Sequence, residues 1–327
     1  MQAPDPMLLH AFSLMNAQRE QEALVIFRQL ADRNDPGALA TLAQLNWTGT
    51  LVPRNYAEGL DYYYRAGEAG HPACAIYATN LLGNGYAGQR DWPLAMERLR
   101  REAESDAKRA EILTRLARMD LTEQGDPRTI PTGERLSDTF DVQIFRGAFT
   151  HAECDYLFRL EKSDYARAKV VDEATGTERI DPVRTADETH VHWEIENPLV
   201  HAFNRRIAAL SDTEVDWGEP LQMLRYRPGQ QYFNHFDYIP GAGNQRIKTA
   251  ILYLNGDYNG GETAFPRIGL KVRGRTGDIL LFRNSQPGGR RIEDSEHAGM
   301  PVLAGVKHIA TRWIRTRTYT ARSLSGD

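Results

Sequence analysis

In the segment Tyr232-Phe-Asn-His235-Phe-Asp237-Tyr238, an imidazole and a carboxylate, the side chains that most often hold metals, stand one residue apart. On a strand, residues i and i+2 project to the same face, so His235 and Asp237 would point together. A third ligand from a distant strand, His297, would complete a two-histidine, one-carboxylate face. That set leaves half the coordination sphere open, which suits non-haem iron(II) that must bind both a cosubstrate and dioxygen. The H-x-D spacing alone has little specificity in a chain with 9 histidines, and other spacings compete with it. His151-Ala-Glu153 lies inside a capping box opened by Thr150, where a helix splays i and i+2 apart. His190-Val-His192-Trp-Glu194 would put two imidazoles and a carboxylate on one strand face. There Val191, Trp193 and Ile195 alternate with the polar residues, as in a half-buried strand with one wet side. His308, within an alternating strand, reads as packing or solvated rather than ligating. A zinc hydrolase uses the same ligand types, but no H-E-x-x-H run occurs.

The elements that must position these residues change character along the chain. Residues 1–120 read as helices and carry a repeat: Asp35-Pro-Gly-Ala-Leu-Ala aligns with His71-Pro-Ala-Cys-Ala-Ile at an offset of 36 residues. The offset then holds without gaps, placing Leu45 on Leu81, Gly49 on Gly85, Arg54 on Arg90, Asn55 on Asp91 and Tyr56 on Trp92. A shorter copy runs from Asp5-Pro6 to Asn34. Paired helices at such a period signal a solenoid, in which a unit buries its apolar face only by stacking on its neighbours. A helix over 107–119 would cap the array. Residues 121–138, rich in Pro, Gly and Thr, have no helical period and read as a linker. In the domain 139–327 two helices are expected, one opened by Thr150 and one by Asn197-Pro198, the latter with Leu199, Phe203, Ile207 and Leu210 as its apolar stripe. Strands are expected over 221–226, 231–238, 247–254, 270–272, 278–282 and 306–314, with Pro-Gly, Gly-Gly and Thr-Gly in the turns. Helices followed by a run of strands make a helix-supported β-sandwich or barrel.

Bulk properties narrow the partners. A net charge of -4 argues against a nucleic-acid module. No stretch approaches the roughly 20 apolar residues of a membrane span. The start, Met1-Gln-Ala-Pro-Asp-Pro, has neither a basic n-region nor an apolar h-region, so no secretory leader is expected. The two cysteines, Cys74 and Cys154, fall in different domains, which excludes a disulfide framework and fits a reducing cytoplasm.

The residues around the His-x-Asp pair carry a stronger signal. Leu221-Gln-Met-Leu-Arg-Tyr226-Arg-Pro-Gly-Gln-Gln-Tyr232-Phe-Asn-His235-Phe-Asp237 is followed by Ala250-Ile-Leu-Tyr253-Leu-Asn255 and Gly260-Gly-Glu-Thr-Ala-Phe-Pro266. Then come Gly277-Asp-Ile-Leu-Leu-Phe282, Ser295-Glu-His297-Ala-Gly-Met-Pro-Val302 and Gly305-Val-Lys307-His-Ile-Ala-Thr311-Arg-Trp313-Ile314. In order and spacing, residues 140–318 resemble the prolyl 4-hydroxylase family of 2-oxoglutarate oxygenases, in particular its collagen-type and microbial members. Residues 5–106 resemble Sel1-like repeats, relatives of the tetratricopeptide class. The fold class expected is multidomain α and β: an N-terminal α-helical repeat array and a C-terminal double-stranded β-helix (jelly-roll) with supporting helices.

The resemblance implies iron(II) on His235, Asp237 and His297, with 2-oxoglutarate as cosubstrate, dioxygen as oxidant and ascorbate as reductant. By position Lys307 is similar to the basic residue that pairs with the far carboxylate of 2-oxoglutarate, and Thr311 to a hydrogen-bond donor for the same group. Tyr226 and Tyr253 match tyrosines lining the cosubstrate pocket, and Trp313 an aromatic near its wall. Tyr232 and Arg246 match positions that face the peptide. Two positions depart from the family pattern: His308 stands where Trp is common, and Glu296 precedes the distal histidine where an apolar residue is usual. The activity implied is hydroxylation of a protein or peptide, at proline, coupled to oxidative decarboxylation of 2-oxoglutarate to succinate. The repeats would recruit the target or only pack on the second domain. A free amino acid or small metabolite is the alternative substrate, and a non-catalytic repeat adaptor the alternative of another class.

Overall fold

The computed structural model describes residues 5–160, 165–171, 178–180 and 183–324. The first four residues, part of the stretch read against a leader, lie outside them. The chain divides into two compact units, Met1–Asp126 with Trp193–Ala202 and Thr320–Asp327, and Pro127–His192 with Phe203–Tyr319.

In the first unit the repeat is one of helix caps and stops as much as of core residues. The helices are α1 (Pro6–Asn16), α2 (Glu20–Ala31), α3 (Pro36–Thr48), α4 (Tyr56–Glu68), α5 (Pro72–Asn84), α6 (Trp92–Ala103) and α7 (Ala107–Leu116). Asp5, Asp35 and His71 cap α1, α3 and α5, accepting the N–H groups of Met7, Ala38 and Cys74, with Pro in each first turn. Pro is tolerated there because a first-turn N–H has no helical acceptor to lose. Asn55 and Asp91 cap α4 and α6 in the same way. Helices α3 and α5 both stop on a left-handed glycine, Gly49 at φ 74° and Gly85 at φ 73°. A Cβ at Gly85 would lie 2.7 Å from Arg90 Cβ and one at Gly49 3.0 Å from Arg54 Cβ, so this loop position needs glycine for both conformation and space. The cap helix ends at Leu116, short of the expected 119.

Residues 193–202 were expected to continue the second domain, and they group with the helices instead. The reason is hydrogen-bond satisfaction. Asn84 Nδ2 donates to Trp193 O at 2.8 Å, and Asn80 Nδ2 donates to Glu194 O at 2.7 Å. The Trp193 indole meets the rings of Tyr56 and Tyr86, with centroids 6.3 and 6.0 Å away.

In the second unit the described strands build two main antiparallel sheets. The larger has eight strands in the order Glu134–Arg135, Val142–Phe145, Ile279–Arg283, Arg246–Tyr253, Lys307–Arg315, Leu221–Tyr226, Asp187–Val191 and Ala166–Arg167. The smaller has four: Leu270–Val272, Thr263–Phe265, His297–Gly299 and Tyr232–His235. Leu224, Ile251, Leu280 and Ile309 of the first sheet share one core with Phe265 and Val272 of the second. Facing antiparallel sheets over a common core are the jelly-roll expected. Helix α8 (His151–Leu160) supports it, and its capping box closes reciprocally: Thr150 N donates to Glu153 Oε2 at 2.8 Å and Glu153 N to Thr150 Oγ1 at 3.2 Å.

Three further expectations change. The strand predicted over 231–238 is only Tyr232–His235, and Asp237 stands on a bend beyond it. Thr263–Phe265, His297–Gly299 and Val302–Ala304 are additional strands, each too short to show a period in the sequence. The segment read as linker contributes Glu134–Arg135 to the sheet edge, paired with Val142–Phe145. No helix among the described residues is long and apolar enough to cross a membrane.

Candidate metal centre

His235 is the last residue of its strand and pairs directly with His297, the first residue of the neighbouring antiparallel strand. Residues opposite one another in such a pair have Cβ atoms about 4.5–5.5 Å apart. Sheet register therefore joins two imidazoles that are distant in the chain, and their ring centroids are 4.2 Å apart. Asp237 completes the group, with Oδ1 3.7 Å from His235 Nε2 and Oδ2 3.6 Å from His297 Nε2. One ligand atom from each residue lies within 4.8 Å of the others, a grouping found nowhere else among the described residues.

Hydrogen bonds fix the imidazole tautomers. Nδ1 of His235 lies 2.8 Å from Phe233 O, and Nδ1 of His297 lies 2.9 Å from Ser295 O. A carbonyl can only accept, so both Nδ1 atoms carry the proton and both Nε2 lone pairs are left for a metal. Burial, reinforced by His297, pushes the His235 pKa down to about 3 against the pull of Asp237, which keeps the ring in its neutral, ligating form. At Asp237 burial opposes ionisation, but His297, His235, Arg246 and a hydrogen bond from Thr249 together hold the carboxyl below its ordinary range. Two neutral nitrogens and one anionic oxygen make a donor set that fits iron(II).

The cavity beside this triad is lined with a period of two. Lys307, Ile309, Thr311 and Trp313 face it from one strand, Thr249 and Ile251 from the next, and Leu224 and Tyr226 from a third. The Lys307 ammonium is buried and donates to Gly261 O at 2.8 Å, with no carboxylate in ion-pair contact among the described residues. Burial lowers its pKa to about 8, with Glu262 pulling upward. A buried cation without an anion is costly, so this one fits a carboxylate-bearing cosubstrate.

Of the other positions singled out in the sequence, Tyr226 and Thr311 line the cavity with Lys307. Tyr253 stands behind the lining, its hydroxyl 3.0 Å from Thr263 Oγ1 and its ring 5.7 Å from Lys307 Nζ. Tyr232 stacks on His235 at 3.4 Å and 14°. Arg246 lies outside the lining: its guanidinium grips buried Glu219 at 2.6 and 2.8 Å and covers the Trp313 ring at 3.8 Å. His190 and His192 stack on each other at 5.8 Å, and His308 packs edge-on to Phe158 at 4.7 Å. Thr249, Asn284, Glu219 and Arg184 belong to no ligand spacing visible in the sequence, yet Thr249 and Arg184 line the cavity. Strand parity was the available signal for Thr249, which shares a face with Ile251.

Residues 221–315 match the model of the 2OG-Fe(II) oxygenase superfamily. Over 245 residues the chain is 30% identical to prolyl 4-hydroxylase 5 of Arabidopsis thaliana, covering 66% of this chain and 83% of that protein. The chain belongs to the prolyl 4-hydroxylase family. Among solved structures, the collagen prolyl hydroxylase of Paramecium bursaria Chlorella virus-1 is 25% identical, with a TM-score of 0.44, over 54% of this chain and 96% of that one. A Sel1 repeat protein of Oxalobacter formigenes is 23% identical, with a TM-score of 0.31, over 33% of this chain and 86% of that one.

As a member of the prolyl 4-hydroxylase family the chain is an iron(II)- and 2-oxoglutarate-dependent dioxygenase. Iron(II) and 2-oxoglutarate, when bound, would supply the electrons that activate dioxygen, the oxidant for attack on a C–H bond, with the keto acid decarboxylated to succinate. The protein's own part is positional. His235 and His297 are preset as Nδ1–H tautomers, Asp237 is held ionised, and Lys307 brings a positive charge into a cavity that Arg184, Thr249, Thr311 and the apolar Leu224, Ile251 and Ile309 also line.

Proposed function

We propose that this dioxygenase hydroxylates a prolyl residue of a peptide or protein, with ascorbate keeping the iron reduced. In this reading His235, Asp237 and His297 hold the iron, Lys307 pairs with the far carboxylate of 2-oxoglutarate, Thr311 hydrogen-bonds the same group, and Tyr226 and Tyr253 flank the ammonium. The observation that carries it is the triad's convergence in the same cavity as the buried Lys307. The substrate class is supported by kinship with a plant protein named as a prolyl 4-hydroxylase. Tyr232, stacked on His235, is assigned to the peptide-facing side.

The test is incubation of the full chain with iron(II), ascorbate, 2-oxoglutarate and a panel of proline-containing peptides. Succinate release together with a one-oxygen mass gain at proline is expected. Succinate release stimulated only by free amino acids, with every peptide unmodified, would move the substrate to the small-molecule class.

Recruitment by the repeat array belongs to the same proposal. Asn80 and Asn84 are already engaged by residues 193–194, so the surface offered for recruitment is the exposed apolar set Leu9, Phe12 and Val25 on α1 and α2. Replacing Leu9 and Phe12 by Ser should raise KM for a protein target and leave KM for a short peptide unchanged. A reducing, cytoplasmic setting is also proposed, supported by two separate buried thiols, Cys74 and Cys154.

A further inference from the structure

Asp237 stands outside the strand that carries His235, so strand geometry alone does not orient its carboxylate. A chain of buried hydrogen bonds does. Thr249 Oγ1 donates to Asp237 Oδ2 at 2.6 Å, and Asn284 Nδ2 donates to Thr249 Oγ1 at 2.8 Å. Chemistry fixes the direction: an amide NH2 can only donate, so the hydroxyl accepts from Asn284 and its own hydrogen goes to the carboxylate. A bond to an ionised acceptor is the stronger kind, in keeping with the short Thr249 contact.

Asn284 is itself held rigidly. It is fully buried, its N donates to Ile247 O at 2.7 Å, and its O accepts from Ile292 N at 3.0 Å. The segment that starts at Asn284 touches the metal centre twice more. The Arg291 guanidinium covers the Phe236 ring, between the two ligands, at 3.9 Å. Ser295 O accepts the Nδ1 proton of His297. The contacts of residues 284–295 are those of a brace.

We propose that Thr249 and Asn284 are positioning residues for the metal ligand Asp237, and that residues 284–295 hold the metal centre from behind. This rests on His235, Asp237 and His297 being the ligand set. Without the Thr249 hydroxyl the Asp237 carboxylate is free to rotate, and the converging donor set is lost for part of the time. Partners of this kind are worth roughly 10–100-fold in metal affinity.

The experiment titrates the full-length protein with cobalt(II), a stand-in for iron(II) that resists air oxidation, and records affinity and the visible ligand-field spectrum. Thr249→Val should bind cobalt about 10–100-fold more weakly with an altered spectrum, whereas Thr249→Ser should restore both to within about threefold of the parent. Asn284→Ala should weaken binding in the same direction. Parental affinity and spectrum for Thr249→Val, or a Thr249→Ser protein as weak as Thr249→Val, would overturn the proposal. Should Thr249→Val not fold, an Asn284→Ala protein with parental affinity and spectrum would do so. A His235→Ala control separates the two ideas: cobalt binding indifferent to that change removes the ligand set itself.

Discussion

A lysine buried in a cavity wall titrates unlike one in water. Burial brings Lys307 to about 8, whereas in the unfolded chain it keeps its proton to about 10.4. Between those values the unfolded state binds more protons, so the cofactor-free protein gains stability as pH rises through this window, and the penalty of the buried charge is fully present below it. In the proposed pairing of Lys307 with 2-oxoglutarate, binding needs the ammonium form and runs the other way. Its dissociation constant should be flat below about pH 8 and increase above it, which calorimetric titration across the window would measure. Lys307→Met should weaken 2-oxoglutarate binding by about 2–5 kcal/mol, the usual cost of removing one partner of a buried charge pair. Arg246 supplies a second residue-scale prediction. Because its guanidinium is bidentate on buried Glu219, Arg246→Ala should destabilise the protein by up to about 3–5 kcal/mol, moderated by Arg315, which also reaches Glu219 at 2.7 Å. A raised KM for peptide with an unchanged unfolding midpoint would instead return Arg246 to the peptide-facing role.

At the scale of elements, the helices of the repeat array rest on caps. Gly85→Ala places a Cβ in the left-handed region and against Arg90, and should cost more than the roughly 1–2 kcal/mol of left-handed strain alone. Asp91→Ala removes the cap of α6 and should cost about 1 kcal/mol. Chemical denaturation of the two variants would rank them, and equal midpoints would show that the close approach of Gly85 to Arg90 is relieved cheaply. These features are local and were legible in the sequence: Asp-Pro, His-Pro and Gly recur at the repeat offset because caps and stops use side chains within a few residues of the helix end. The three-residue strands were not legible. His297–Gly299 is a strand because Tyr232–His235 and Thr263–Phe265 lie on either side of it, not because three residues have a preference of their own.

For the whole molecule, ligand binding should register as stability. Cobalt(II) with 2-oxoglutarate at about a hundredfold excess over the dissociation constant should add about 2.7 kcal/mol, and chelation should remove it. An unfolding midpoint unmoved by metal would argue that the triad binds none. The grouping of residues 193–202 with the helical repeats is a second feature of this scale, since the asparagines that hold the segment are more than a hundred residues away in the chain.

What depends on neighbours along the chain or on ordered text was readable before any fold: the repeat, the change from helices to strands, the His235-x-Asp237 pair and the family to which residues 221–315 belong. The sequence also ranked His297 above His190, His192 and His308, because the surrounding residues matched in order and spacing. How those groups are held is a property of the folded chain alone. His297 meets His235 through antiparallel register, Asp237 is oriented by Thr249 and Asn284, and Arg246 is committed to Glu219. Each of these rests on which strands become neighbours, and that choice is made by burial summed over two sheets, which no short stretch of residues encodes.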